Sequence, residues 1–179
     1  MKLIKTIILF AAITLLSCKS TNNINKQVVS SKTPKNVILL ISDGTGLSQI
    51  SSTFYFKEST PNYKRFKNIG LIKTSSSRED VTDSAAGATA FACGVKTYNG
   101  AIGVADDSTA VKNLVEIAAL NNIKTGMIAT SSITHATPAS FFAHTFNRGS
   151  EEEIAMDLTQ SELDFFAGGG LRFFNNRKD

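Results

Sequence analysis

Blocks of apolar residues recur along the chain, separated by short polar clusters. NVILLIS (Asn36–Ser42) is an unbroken apolar run of the kind covered on both faces in a parallel sheet. KTGMIATSS (Lys124–Ser132) predicts a second buried strand, and LDFFAGGG (Leu163–Gly170) a third that ends in glycines. NIGLIKTSS (Asn68–Ser76) predicts another strand or two. Helical patterns fall between these runs. STFYFKEST can form part of a helix. In STAVKNLVEIAALNN, Ser108 is the expected cap, and Val111, Leu114, Val115 and Ala118 make an apolar stripe. Pro138 suits the first turn of a helix carrying Phe141, Phe142 and Thr145. Ser150 and Glu153 predict a capping box before the next helix. Strands alternating with helices imply an α/β fold with a largely parallel sheet flanked by helices.

The first residues read differently. MKLIKTIILFAAITLLSC opens with two lysines and continues with an apolar stretch too short to span a bilayer comfortably. This is the pattern of an export signal. Its last four residues, Leu15-Leu16-Ser17-Cys18, resemble a bacterial lipobox, which implies cleavage after residue 17 and a lipid on Cys18. Residues 18–34 are rich in Ser, Thr, Asn and Lys without periodicity, as a flexible tether would be. The expected organisation is a signal peptide over 1–17, a lipidated tether over 18–34 and a folded part over 35–179. The destination is a bacterial membrane surface facing the periplasm or the cell exterior, reached through the lipid anchor.

Length and charge then narrow the partners. The chain's 179 residues suffice for one domain. Setting aside Lys2 and Lys5 of the leader lowers the formal +4 to +2, too weak to imply nucleic acid. With Cys18 processed, Cys93 is left as a lone thiol among small and apolar residues, expected to be buried and structural. GxxxxGK[ST] does not occur, and DGTG is not a dinucleotide fingerprint.

The candidate chemistry follows the predicted strands. Asp43 comes directly after the first apolar run, where ligands bind in open α/β sheets. DVTDSAAGATAFACG (residues 80–94) sets Asp83 and Ser84 before a run of small residues. A serine at a helix start has unpaired N–H groups and a positive dipole end around it, which favours an anion. Ala85, Ala86 and Gly87 leave room for a bulky anion to reach the hydroxyl. Arg148 could grip that anion bidentately, and Asp83 could hold Arg148. A serine nucleophile needs a base or a metal, and a metal at Asp43 would serve. His135 and Thr137 lie after the second strand run, and His144 reads as a packing or surface histidine.

Four blocks carry a resemblance. NVILLISDGTG, VTDSAAGATAFACGVKTYNGAIGV, THATPASFFAHTFNRG and DFFAGGGLRFF resemble successive blocks of the alkaline phosphatase family, in order and with family-like spacing. The resemblance implies the N-terminal part of that family's α/β domain. It implies hydrolysis of phosphate monoesters through a phosphoserine on Ser84, with Arg148 holding phosphate oxygens and Asp83 positioning Arg148. Asp43 matches a carboxylate bridging one zinc and the magnesium, and Thr137 a hydroxyl ligand of the magnesium. His135 matches a position that is aspartate in some bacterial members and histidine in animal ones. Histidine suits Mg²⁺ less than a carboxylate does, because that ion prefers oxygen. Ser42 and Thr45 depart from a glycine and a methionine common in the first block. Neither departure removes a ligand.

The family's two zinc ions and its magnesium-binding glutamate call on ligands from later in the family's chain. The expectation is therefore an N-terminal portion, inactive and poorly soluble alone, from a protein that dimerises when complete. A phosphodiesterase or sulfatase of similar fold would carry a threonine or modified cysteine where DSAAGATA places serine. A different class of reading is a short non-catalytic lipoprotein that binds phosphate or another anion at Ser84 and Arg148.

Overall fold

The computed structural model describes residues 34–175, so the leader, Cys18 and most of the tether lie outside the described residues. The described chain falls into two units, one up to Leu40 and one from Ile41 onward. The elements all belong to the second. They are α1 (Leu47–Phe56), a 3₁₀ turn (Asn62–Arg65), α2 (Ser84–Cys93), α3 (Leu114–Leu120), β1 (Gly126–Ser132), α4 (Ala136–Ala139), α5 (Glu151–Gln160), β2 (Phe165–Gly169) and α6 (Arg172–Asn175).

β1 and β2 pair in parallel, with Gly126 opposite Phe165 and Ile128 opposite Ala167. The register slips before Ser132 meets Gly169. α4 and α5 form the crossover between the strands, so the α/β expectation holds as a small parallel sheet with helices. Asp164 ties the strand starts together: Lys124 Nζ donates to it at 2.6 Å and the Thr125 N–H at 2.9 Å.

The strand expected at Asn36–Ser42 does not form, nor does one at Asn68–Ser76. A strand needs a neighbour for its N–H and C=O groups, and the described residues supply none to either run. Val37 and Leu40 stand 83% and 82% exposed. β1 forms, but its residues alternate between exposed and half-buried instead of being covered on both faces.

Helix starts also moved. α3 is capped by Asn113, whose Oδ1 accepts the Val115 and Glu116 N–H groups. Ser108 instead lies at positive φ (68°) in a turn closed by the Ala105 N–H donating to the Thr109 carbonyl. Pro138 does sit in a helix, but α4 has only four residues, and Thr145 beyond it bridges to Ile102. Ser150 precedes α5 without a side-chain cap bond, and the expected capping box is absent: Glu153 accepts from Thr145 at 3.3 Å, while the Ser150 N–H donates to the Asn147 carbonyl.

The core is small and rich in alanine. Ala85 of α2 and Ala136 and Ala139 of α4 pack with Ile102, Ile133, Phe142, Ile154 and Leu158. Small side chains let the two helices approach closely. Ser140 bonds the Ala136 carbonyl at 2.9 Å and reaches the Ala85 carbonyl at 3.4 Å. Thr89 donates to the Ala101 carbonyl at 3.2 Å and accepts the Gly103 N–H at 3.0 Å. This packing sets the start of α2 beside α4 and the 99–104 loop.

Candidate active site

Ser84 is the first residue of α2 and Asp83 its N-cap. The small-residue run is thus both a packed helix and a helix start that presents a serine. Asp83 has extended backbone and uses both carboxylate oxygens. Oδ1 accepts the Ala86 N–H at 2.9 Å. Oδ2 accepts the Gly100 N–H at 2.9 Å and Arg148 Nη1 at 3.1 Å. The same Nη1 donates to Ser84 Oγ at 3.0 Å. Arg148 and Asp83 side chains are 33% and 25% exposed, enough shielding to make the pair stronger than a typical surface ion pair.

Arg148 Nη2 lies 3.3 Å from His135 Nε2. A guanidinium only donates, so Nε2 accepts and the ring proton sits on Nδ1. His135 is the N-cap of α4. Two residues on, Thr137 Oγ1 donates to Asp43 Oδ2 at 3.1 Å, across 94 positions of sequence. Asp43 is in a turn whose next residue, Gly44, has φ +64°, the left-handed region that glycine tolerates. Ser84, Asp83, Arg148 and His135 are therefore joined by side-chain contacts, and α4 links them to Thr137 and Asp43.

The start of α2 retains anion-binding capacity. Asp83 takes the Ala86 N–H through its side chain and the Gly87 N–H through its carbonyl. The Ser84 and Ala85 N–H groups have no partner among the described residues. With the helix dipole and Arg148, they favour negative charge beside the Ser84 hydroxyl.

Neither histidine hydrogen-bonds Ser84. His144 Nδ1 lies 2.6 Å from the Gly103 carbonyl and Nε2 3.2 Å from Glu116, a bracing role between loop and helix. Among the described residues, no three His, Cys, Asp or Glu side chains gather as a metal site. Sequence reasoning passed over Asn99 and Gly100, which touch Asp83 directly. The only signal in the sequence is their Asn-Gly pair, a common turn dipeptide.

The alkaline phosphatase family model matches residues 34–174. The chain is 39% identical over 161 residues to the alkaline phosphatase of Schizosaccharomyces pombe, covering 84% of this chain and 30% of that protein. It is 40% identical over 159 residues to alkaline phosphatase 3 of Bacillus subtilis, covering 81% of this chain and 34% of that one. The chain thus spans about a third of the length of the curated relatives it matches. Among solved structures, it is similar to the alkaline phosphatase of the Antarctic bacterium TAB5, with 84% identity and a TM-score of 0.81 over 83% of this chain and 44% of that one. A structure of the TAB5 mutant His 135 Asp, described as having Mg bound in the M3 site, matches at 83% identity with a TM-score of 0.80, over 82% of this chain and 42% of that one.

Proposed function

This chain belongs to the alkaline phosphatase family, and from that premise we propose that the protein carrying it hydrolyses phosphate monoesters through Ser84. The observation that carries this reading is the shared Arg148 Nη1, which reaches Asp83 and Ser84 Oγ at once at a helix N-terminus. A phosphoryl group placed there would meet the Ser84 and Ala85 N–H groups and the guanidinium together. Ser84 Oγ attacks phosphorus, the ester P–O bond breaks and the alcohol leaves with a proton. Water then attacks the phosphoserine and releases phosphate and the serine hydroxyl. Arg148 and the helix amides stabilise charge on the phosphoryl oxygens, which is most of what such catalysis requires.

A metal deepens the reading. The Asp43 carboxylate and Thr137 hydroxyl are hard oxygen donors within hydrogen-bond reach of each other, a pairing that suits Mg²⁺. A cation held there would supply positive charge and acidify bound water. His135 shares its type and number with the histidine replaced in the Mg-bound TAB5 structure. Here its Nε2 is engaged by Arg148, and it would have to give up that contact to bind a cation through that nitrogen. The two zinc ions find no set of ligands among the described residues. Export, a lipid on Cys18 and dimerisation complete the proposal, supported by the leader sequence and the family.

The test is acid-quenched turnover of a phosphate monoester by the protein expressed from its source gene, followed by peptide mass spectrometry. Phosphate should be trapped on Ser84, and Ser84→Ala should lower turnover by about 10³-fold or more. Wild-type turnover in that variant would sink the assignment.

A further inference from the structure

Asn99 takes no part in the chemistry above, yet every polar atom of its side chain is used. Its Oδ1 accepts the Asp83 N–H at 2.9 Å. Its Nδ2 donates to Glu79 Oε2 at 2.9 Å and to the Val81 carbonyl at 3.0 Å. Gly100 continues the same turn: its N–H donates to Asp83 Oδ2 at 2.9 Å, and its carbonyl accepts the Arg148 N–H at 2.8 Å. The left-handed backbone at Gly100 (φ +91°) lets one turn face the aspartate and the arginine together.

Residues 79–83 belong to no helix or strand. Nothing regular therefore fixes where the Asp83 backbone stands before α2 begins. Asn99 supplies that constraint from one side and the helix from the other. Without the Asn99 amide, the Asp83 N–H and the Val81 carbonyl lose their partner at once. The carboxylate can then turn away from Arg148, which also binds Ser84 Oγ.

Resting on the reading of Ser84 and Arg148 given above, we propose that Asn99 is a positioning residue for phosphoryl transfer: it holds the Asp83 backbone so that one carboxylate caps the nucleophile's helix and aims Arg148. Its amide faces Glu79, and this provides a specific handle. Asn99→Asp keeps an acceptor for the Asp83 N–H but sets a carboxylate against Glu79 Oε2 and the Val81 carbonyl. Glu79→Gln in the same chain offers an amide donor to that new carboxylate.

The experiment compares the source-gene protein with N99A, N99D, E79Q and N99D/E79Q. It reads KM and kcat for an aryl phosphate monoester, the inhibition constant of inorganic phosphate and the thermal midpoint. Misplacing a group near the chemistry costs up to about 100-fold; here N99A and N99D should weaken phosphate binding about tenfold and raise KM in step. E79Q alone should stay within about twofold of wild type. The double variant should regain most of what N99D loses, at temperatures where each variant is fully folded. Phosphate binding within twofold of wild type in both N99A and N99D overturns the proposal, whatever the midpoints do. So does a failure of E79Q to recover any of the N99D loss. Ser84→Ala run alongside separates the two readings. If it is dead while the Asn99 variants match wild type, only the Asn99 proposal falls; if it turns over normally, the functional reading falls as well.

Discussion

Asp83 shows how much one side chain can carry when its neighbours are placed by the fold. Its two oxygens receive a helix amide, a loop amide and a guanidinium. The identity of the residue was legible from the Asp-Ser pair before small residues. Its partners were not, since Gly100 and Arg148 lie 17 and 65 positions away. At the other end of the same helix, Cys93 faces the opposite electrostatics. Burial first, and the negative charge of Glu116 second, push its thiol from an ordinary 9.0 up to about 11. The neutral thiol is therefore inert near neutrality. Iodoacetamide at pH 7.5 should label Cys93 at least about tenfold slower in the folded chain than in urea, read by peptide mass spectrometry to separate it from Cys18. The linkage has a definite sign. Between pH 9 and 11 the unfolded thiol loses its proton while the folded one keeps it, so stability falls as pH rises through that window. Urea titrations at either end should show a drop in wild type that is smaller in Cys93→Ala. Equal labelling rates in the folded and unfolded chain would refute this.

At the level of elements, local pattern and tertiary demand compete. α2 forms where Ala-rich sequence follows a capping aspartate, and both agree. The cap of α3 is not the expected Ser108 but Asn113, a residue type that caps equally well. The turn closing Ala105 onto Thr109 decides for Asn113, whose capping box with Glu116 then completes the end. The 99–104 loop is likewise fixed from outside. Gly103 has φ +62°, and a Cβ there would lie 2.1 Å from the Ala143 carbonyl and 2.8 Å from His144 Nδ1. The obstacle is backbone, so it cannot step aside. Gly103→Ala should cost about 3 kcal/mol or more in urea unfolding followed by circular dichroism, from a left-handed backbone and a clash together. An effect under about 1 kcal/mol would mean that the loop moves freely, and that its grip on Thr89 and the α2 start is weaker than drawn.

On the scale of the whole molecule, the dominant feature is apolar exposure, as expected of an N-terminal portion. Ile128 of β1 is 77% exposed and Phe165 of β2 58%. A two-stranded sheet is marginal without cover on its apolar face, and such patches drive association. The 179-residue chain produced alone should bind a hydrophobic dye strongly and elute as assemblies in size-exclusion chromatography. Ile128→Lys should shift it toward monomer without loss of helical signal, because that side chain contributes little burial here. It should also hydrolyse an aryl phosphate no faster than its Ser84→Ala variant. A monodisperse, dye-silent or active chain would contradict this expectation.

What the order of residues alone determined is the local chemistry: a serine with an aspartate before it at the head of a small-residue helix, an aspartate directly after an apolar run, and strand-forming runs at Lys124–Ser132 and Leu163–Gly170. These follow from neighbours within a few positions, where side-chain size, capping and backbone freedom act directly. Only the tertiary structure decided which of them meet. Thr137 finds Asp43, Arg148 finds Ser84 and His135, and Asn99 holds Asp83 through contacts between positions far apart in the chain. It also decided that two apolar runs are not strands here. Burial is a property of what lies opposite a residue, and periodicity records only what a segment could offer.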